Sequence, residues 1–259
     1  MTAFRLAPAA VLTSFLLTAC PAGSQNTQSS LTLQALAVTQ YNASRGLAQY
    51  NVFLAWNAVP RATSYDVLAG ASPTNLNSIT PNFTTKTSYT DPTVTTPGAS
   101  QSYQIRALDV NASELIRSNI ASVQMLSHDA SLSAPTAPTI VGASGTGLAG
   151  GAAPSAQPTL NWAPVPDATA YYLTLAPASA PGNPVFAVLV STESATIGTL
   201  PDTKLGWPGY AQMGSNYSMT SGTTYSVSLS ALRTNVSDLS AVSGIDVGPA
   251  GSWPITYSK

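Results

Sequence analysis

One short pattern occurs twice in this chain of 259 residues, and it constrains the fold more than any other feature. The residues from Trp56 to Tyr65 and those from Trp162 to Tyr171 share the pattern W-x-x-V-P-x-A-T-x-Y. A pattern that recurs with its spacing intact indicates that one structural unit is present more than once. The chain is therefore expected to contain two copies of the same fold.

The residues around both copies predict β-strands. Val52, Leu54 and Trp56 alternate with other residues, which is the period of a strand that places Trp56 in a core. After the Pro-containing turn, Tyr65 begins a second alternating run, and Tyr225 begins another later in the chain. Short strands separated by Pro, Gly, Asn and Asp turns are typical of β-sandwiches. The sequence thus predicts an all-β fold, in which both Trp and Tyr pairs of the repeat are core residues.

A second shared block shows where the copies differ. Ala107-Leu108 with the residues that follow them match Ala231-Leu232 with theirs, and the stretch between the two blocks is about 18 residues longer in the second copy. We place this insertion within residues 201–221, before the strand that begins near Tyr225.

These residues together resemble fibronectin type III domains. The resemblance rests on the Trp, on V-P-x-A, on the Tyr that follows, and on Y-x-V-x-L-x-A in the later strand. It implies two tandem immunoglobulin-like β-sandwiches, at residues 33–126 and 136–248, joined by a linker at 127–135 and followed by a C-terminal tail at 249–259. Other immunoglobulin-like sandwiches are the main alternative.

The resemblance also implies a tyrosine corner. Tyr225 stands where that family usually has the Tyr whose hydroxyl bonds back to the backbone, and Gln101 replaces it in the first copy.

The N-terminus carries a separate signal. Cys20 is the sole cysteine, and it follows Arg5 and an apolar run from Leu6 to Leu17 that is too short to span a bilayer. The arrangement resembles the lipobox of bacterial lipoproteins. That resemblance implies a cleaved signal peptide at residues 1–19, acylation of Cys20 (palmitate is the usual fatty acid), and a flexible tether over residues 20–32.

The predicted location is the bacterial cell envelope, with the membrane reached through the lipid. Pro21 stands where an Asp would favour retention at the inner membrane, so the outer membrane or cell surface is favoured.

The low charge of the chain bears on whether it can bind nucleic acid. Charged residues make up 7% of the chain, and the formal net charge is −1. Binding to nucleic acid requires clustered Lys and Arg to contact phosphates, and no such cluster exists. We expect no nucleic-acid partner.

Catalytic and metal-binding patterns are also missing from the sequence. The one histidine, His128, lies beside Asp129 in the predicted linker, where we interpret it as a solvated hinge residue. A Ser-His-Asp triad or a zinc site has no other histidine to use. We therefore expect no enzyme activity, no metal and no cofactor.

The insertion supplies the candidate contact residues Trp207, Tyr210 and Tyr217. Exposed aromatic side chains on loops are common at recognition surfaces, and flat rings stack on sugars. In the competing interpretation, Trp207 folds back and plugs an open end of the sandwich.

Two functions follow. The first is a lipid-anchored envelope protein that acts as a non-catalytic binding, adhesion or scaffold module, with another envelope protein as partner. The alternative is a glycan-binding surface lipoprotein, which uses the aromatic loop at 201–221 on surface polysaccharide.

Overall fold

The structure is a computed structural model that describes residues 30–258, apart from 43–44, 142–150 and 203–205. Cys20, the predicted signal peptide and most of the predicted tether lie outside the described residues. Within them the secondary structure is β-strand, with one 3-10 turn at Leu239–Ala241. The all-β prediction is confirmed. No helix in the described ranges has the length and apolar character needed to cross a membrane.

Eight strands form the first half of the described chain. They are β1 Leu33–Asn42, β2 Leu47–Trp56, β3 Ser64–Ser72, β4 Asn75–Ser78, β5 Ser88–Asp91, β6 Ser100–Leu108, β7 Glu114–Arg117 and β8 Ala121–Gln124.

Nine strands form the second half. They are β9 Thr139–Ile140, β10 Gly151–Ala153, β11 Thr159–Asn161, β12 Ala170–Pro177, β13 Phe186–Val190, β14 Ser194–Thr196, β15 Thr224–Thr234, β16 Gly244–Val247 and β17 Gly251–Tyr257.

The first half is a sandwich of two sheets. Strands β1, β2 and β5 form one layer, and β4, β3, β6 and β7 form the other, with β8 also paired to β6. The core between the layers draws buried side chains from both, among them Val52, Leu54, Val67 and Ile105. Alternation along the strands sends these side chains inward, as the sequence predicts.

The second half repeats this arrangement. Strands β9, β11 and β14 form a small sheet, while β12, β13, β15 and β17 belong to the large one. Leu160, Leu173, Val188 and Leu229 are among the fully buried residues of the core that the two layers share. The chain thus contains two β-sandwiches.

The repeated pattern has the same physical basis in both halves. The backbone N–H of Val59 donates to Tyr65 Oη at 2.9 Å, and that of Val165 donates to Tyr171 Oη at 3.0 Å. Trp56 meets the ring of Tyr65 edge-on, with 5.6 Å between ring centroids. The pair Trp162 and Tyr171 does the same at 5.4 Å. The motif therefore joins the turn to the core.

The Val-Pro-x-Ala segment is a tight turn in each copy. Ala62 N–H donates to Val59 O at 3.1 Å, and the residue between Pro60 and Ala62, Arg61, has a φ of 67°. Asp167 occupies the equivalent position with a φ of 61°. A type II turn needs a positive φ at this position, where Gly or Asn is usual, so both copies hold a strained residue here.

The structure differs from the predicted boundaries at the C-terminus. The predicted tail at 249–259 contains β17, which pairs with β15 from Thr224↔Thr256 to Leu229↔Gly251. Strand β16 pairs with the other end of β15, so β17 continues along the same side of β15 after a short break. The tail is an integral strand of the second sandwich.

Two further segments also differ from expectation. Leu31, assigned to the tether, is buried in the first core, and Leu132, assigned to the linker, is buried in the second. The Gly- and Ala-rich sequence before β11 contains a strand as well, β10, which runs parallel to β17. Backbone hydrogen bonding and apolar burial both extend further than composition indicates.

Candidate functional site at the junction of the sandwiches

The two sandwiches share a sheet. Strand β1 of the first pairs in parallel with β16 of the second, over Ala37↔Gly244 to Gln40↔Val247. Ala37 N–H also donates to Ser243 O at 2.9 Å. On its other side β1 pairs with β2 along its whole length. The large sheet therefore runs from β10 in the second sandwich to β5 in the first without interruption.

The middle of strand β1, from Leu36 to Thr39, is buried on both faces, which explains its sequence. Leu33 and Ala37 belong to the first core, whereas Leu36 and Val38 belong to a third apolar cluster at the junction. That cluster also contains side chains of the second sandwich, namely Ala170, Leu189, Trp207, Leu232, Val242, Ile245 and Val247. Unbroken apolar runs are typical of strands covered on both sides.

Trp207 lies inside this junction cluster. Its side chain is 7% exposed, and its indole Nε1 donates to Leu239 O at 3.0 Å. The expectation of an exposed Trp207 is wrong, because the indole is folded back and buried, as in the competing interpretation, where the sandwiches meet. Leu36 and Val38 of β1 belong to the same apolar cluster and help to bury the indole.

Tyr210 packs beside Trp207 rather than extending into solvent. Its ring meets that of Tyr172 edge-on at 5.2 Å, and Tyr172 Oη donates to Ala211 O at 3.0 Å. Burial raises the pKa of Tyr210, and it raises that of Tyr172 to about 12. The adjacent Gly209 has a φ of +81° and lies against the ring of Phe53 in β2. The insertion thus touches both sandwiches.

The insertion also covers the outer edge of β13. Ala187 and Met213 exchange two backbone hydrogen bonds, of 3.1 and 3.0 Å, and Leu189 N–H donates to Gln212 Oε1 at 3.2 Å. Gly214, with a φ of +80°, allows the close approach, because a Cβ there would lie 2.5 Å from Val185 O. An uncovered edge strand is a site of unwanted pairing, and this one is shielded.

Tyr217 belongs to a different structure, the tyrosine corner. Tyr225 Oη accepts a hydrogen bond from Thr220 N–H at 3.0 Å, and Tyr217 Oη lies 3.0 Å from Tyr225 Oη. The predicted corner at Tyr225 is therefore present. The structure brings Trp207 and Tyr210 together at the junction and leaves Tyr217 apart from them. A partner contact through these residues stays a prediction, and the buried Trp207 offers little surface for it.

A charged cluster lies on the same junction. Asp246 is fully buried and accepts hydrogen bonds from His128 Nδ1 at 3.0 Å and from Asp129 N–H at 2.6 Å, with Arg233 Nη2 at 3.5 Å. His128 also stacks on Tyr41 of β1, with 4.4 Å between centroids and 4° between planes. The interpretation of His128 as a solvated hinge residue is wrong, because it joins the two sandwiches.

Asp129 adds to this cluster from the connecting segment. The backbone N–H and hydroxyl of Ser131 both donate to its carboxylate, which lowers the pKa of Asp129. Arg233 Nη1 lies 3.3 Å from the same carboxylate. The fully buried charge of the cluster is that of Asp246, and a buried carboxylate is destabilising unless it has such hydrogen-bond and charge partners.

This cluster connects β1, β15, β16 and the segment between the sandwiches, through Tyr41, Arg233, Asp246 and His128. In the described part of the chain, no group of three His, Cys, Asp or Glu residues is placed to hold a metal. His128 has Asp246 as its hydrogen-bond partner there, and no hydroxyl or thiol of the described ranges is bonded to it. The arrangement can fix the position of one sandwich against the other.

Sequence reasoning missed Thr39 and Gly244 at this joint. Thr39 Oγ1 donates to Leu126 O at 2.5 Å, and a Cβ at Gly244 would lie 2.0 Å from Gln124 O. The available signal was the run Leu36 to Thr39, which does not alternate and therefore predicts a strand buried on both faces.

Comparisons with known proteins give structural neighbours but no family. No family model matches the chain, and no curated protein matches it. A fibronectin type III-like protein from Clostridium thermocellum is similar at 26% identity, over 39% of this chain and 99% of that one, with a TM-score of 0.27.

Two chicken structures are also similar. The first, the FN1–FN3 domains of CNTN1, is 14% identical over 87% of this chain and 64% of that one, with a TM-score of 0.33. The second, a two-domain fibronectin type III segment of tenascin, is 12% identical over 80% and 93%, with a TM-score of 0.30. TM-scores this low do not establish a common overall arrangement, so the sandwich assignment rests on the strand pairing itself.

Proposed function

We propose that this chain is a lipid-anchored protein of the bacterial cell envelope, in which two sandwiches joined as one rigid unit act as a non-catalytic binding, adhesion or scaffold module. The observation that carries the proposal is the shared sheet at β1 and β16. A scaffold must hold its binding surfaces at a fixed separation, and a sheet that continues through both sandwiches does so.

The use of the insertion supports a scaffold over glycan binding. Trp207 is buried at the junction, and Tyr210 packs against Tyr172, so neither ring presents a flat free face for a sugar. Stacking on a sugar requires such a face. Trp207 and Tyr210 stabilise the joint instead.

The lipid anchor is tested by metabolic labelling. The full chain expressed in a bacterium with radioactive palmitate should incorporate the label, and Cys20→Ser should lose it because the acceptor thiol is gone. Ser24→Ala in the following tether is the matched control and should keep the label. Labelling that persists in Cys20→Ser would contradict the anchor.

The binding role is tested by capture from the native organism. After cross-linking in intact cells, the tagged full chain should bring down one dominant envelope protein. Recovery of polysaccharide or peptidoglycan fragments without a protein would instead favour the glycan-binding function. Capture of neither would contradict a binding role and leave the anchor result standing.

A further inference from the structure

Strand β2 has an open edge over its first five residues. Strand β5 pairs with β2 from Ala55↔Ser88 to Val52↔Asp91, and the pairing ends at Asp91. Pro92 follows Asp91, and the Asp91 side chain accepts from the backbone and hydroxyl of Thr93, which turns the chain. Thr93 is the next residue whose N–H would face β2, and it donates to the Asp91 side chain instead, so the pairing ends at Asp91. Residues 47–51 continue beyond it.

The backbone groups that face this edge follow from strand alternation. Trp56 N–H donates to Thr87 O at 3.0 Å, on the β5 side. Every second residue of a strand points the same way, so the N–H and C=O groups of Tyr50 and Ala48 also face that side. No strand among the described residues pairs with the N–H and C=O groups of Ala48 and Tyr50 on that side of β2.

A groove follows this edge. It has a volume of about 510 Å³ and is lined by four β2 residues, Ala48 to Asn51, and by Thr95 from the loop after β5. A groove with backbone donors and acceptors along one wall fits an extended chain, because successive groups are then met at strand spacing.

The edge lacks the features that usually protect one. Exposed edges are usually blunted by Lys, Pro, bulges or a covering loop. Residues 47–51 include no charged residue and no Pro, and their pairing with β1 is without a bulge. Leu47 is 64% exposed beside them. The contrast with β13, whose edge the insertion covers, indicates that the β2 edge is left open for pairing.

We propose that residues 47–51 of β2 bind an extended, uncharged peptide segment of a partner protein by strand addition. This deepens the proposed binding function and rests on it. The segment would pair with Ala48 and Tyr50 and lie between them and Thr95. The open stretch is closed at one end by Asp91, so the bound segment must end or turn there.

A second copy of this chain fits this edge less well. A two-fold pairing that uses all the open groups sets Ala48 opposite the Tyr50 of the other copy. It also sets Gly46 opposite the other copy's Val52, a position that Asp91 of β5 already occupies. A free segment avoids this collision, which favours a peptide from a partner protein.

The probe for the test is the synthetic peptide acetyl-Thr-Val-Thr-Val-Thr-amide, titrated into the isotope-labelled full chain in detergent and followed by amide NMR. Binding should shift the amide signals of Ala48 and Tyr50 and slow their hydrogen exchange. The same peptide with an N-methyl group on every residue should not bind, because neither of its edges can then donate the ladder hydrogen bonds.

Two variants make the test specific. Ala48→Pro removes one open N–H that β1 does not use, and should weaken peptide binding at least tenfold while the other signals of the first sandwich stay in place. Ala48→Ser keeps the N–H and should bind as the native chain does.

Three results would overturn the proposal. They are signal shifts located elsewhere, binding that Ala48→Pro does not weaken, and no binding at millimolar peptide. Concentration-dependent dimerisation that Ala48→Pro abolishes would assign the edge to a second copy. Capture of an envelope protein that Ala48→Pro leaves unchanged would keep the proposed function and reject this site.

Discussion

At the scale of single residues, the repeated pattern is explained by one hydrogen bond and one ring contact. Tyr65 and Tyr171 each use the hydroxyl to accept a buried backbone N–H of the turn and the ring to pack against Trp. The Trp indole N–H groups are buried without a hydrogen-bond partner in the described structure. The two aromatic positions of the motif therefore differ in what a substitution removes.

Replacement of Tyr65 by Phe should lower the free energy of unfolding of the first sandwich by about 1–3 kcal/mol, because Val59 N–H loses its buried acceptor. Trp56→Phe is the control: it removes apolar contact but no hydrogen bond. Denaturant unfolding of the intact chain, followed by far-ultraviolet circular dichroism, measures both. A neutral Tyr65→Phe would show that water replaces the hydroxyl.

The turn residue Arg61 gives a prediction of opposite sign. Its φ of 67° costs a non-glycine residue about 1–2 kcal/mol of steric strain. Glycine has no such strain, but it loses more conformational freedom on folding, so only part of this free energy is recovered. Arg61→Gly should raise the free energy of unfolding by about 0.5–1 kcal/mol. Arg61→Val should lower it, since a branched side chain tolerates positive φ poorly. If both variants lower stability, the turn strain is absent.

At the scale of elements, the insertion acts as a brace between β1, β2 and β13. Trp207 fills the junction cluster, Gly209 contacts Phe53, and Met213 pairs with Ala187. Its length, Gly content and aromatic residues were readable from the sequence. Its contacts were not, because they depend on a surface of β1 that exists only when both sandwiches are in place.

Trp207→Ala should lower the free energy of unfolding by about 3–5 kcal/mol through the cavity that it leaves. It should also weaken the joint, because the indole belongs to an apolar cluster that is built from both sandwiches. Ser215→Ala, at an exposed position of the same insertion, is the matched control and should change nothing. Calorimetry that separates the two sandwiches into two transitions only in Trp207→Ala would support the brace. Unchanged melting in both variants would contradict it.

Buried tyrosines predict a loss of stability in alkali. Burial raises the pKa of Tyr172 to about 12, and burial, followed by the hydrogen bond to Asp91, raises that of Tyr103. The folded chain then holds protons that the unfolded chain releases above pH of about 10, so stability falls as pH rises beyond that value and is unaffected below it. Phenolate absorbance during a pH titration measures this. Tyr172→Phe should reduce the slope, and ionisation of all tyrosines near pH 10 in the folded chain would contradict it.

At the scale of the whole molecule, the sequence predicted the parts better than their assembly. The sequence was sufficient to predict the two sandwiches, their core Trp and Tyr residues and the corner at Tyr225, because alternation and turn chemistry are local. The sequence was not sufficient to predict three other features: the β1–β16 pairing, the role of His128 and the strand in the predicted tail. His128 is 118 residues from Asp246 in the sequence, and the other two features depend on strand pairings that composition does not encode.

The assembly turns two small domains into one body. Parallel pairing at β16, the junction cluster and the buried Asp246 act at neighbouring points of one interface. Independent linked domains usually move, because the surface between them is small and polar. An interface that combines a hydrogen-bond ladder with an apolar core opposes such motion.

Residual dipolar couplings of backbone amides test this account most directly. If the sandwiches form one body, a single alignment tensor fits the couplings from both, and Trp207→Ala requires two. Two tensors of different magnitude in the native chain would show that the sandwiches reorient independently, and would contradict the rigid joint on which the proposed scaffold role depends.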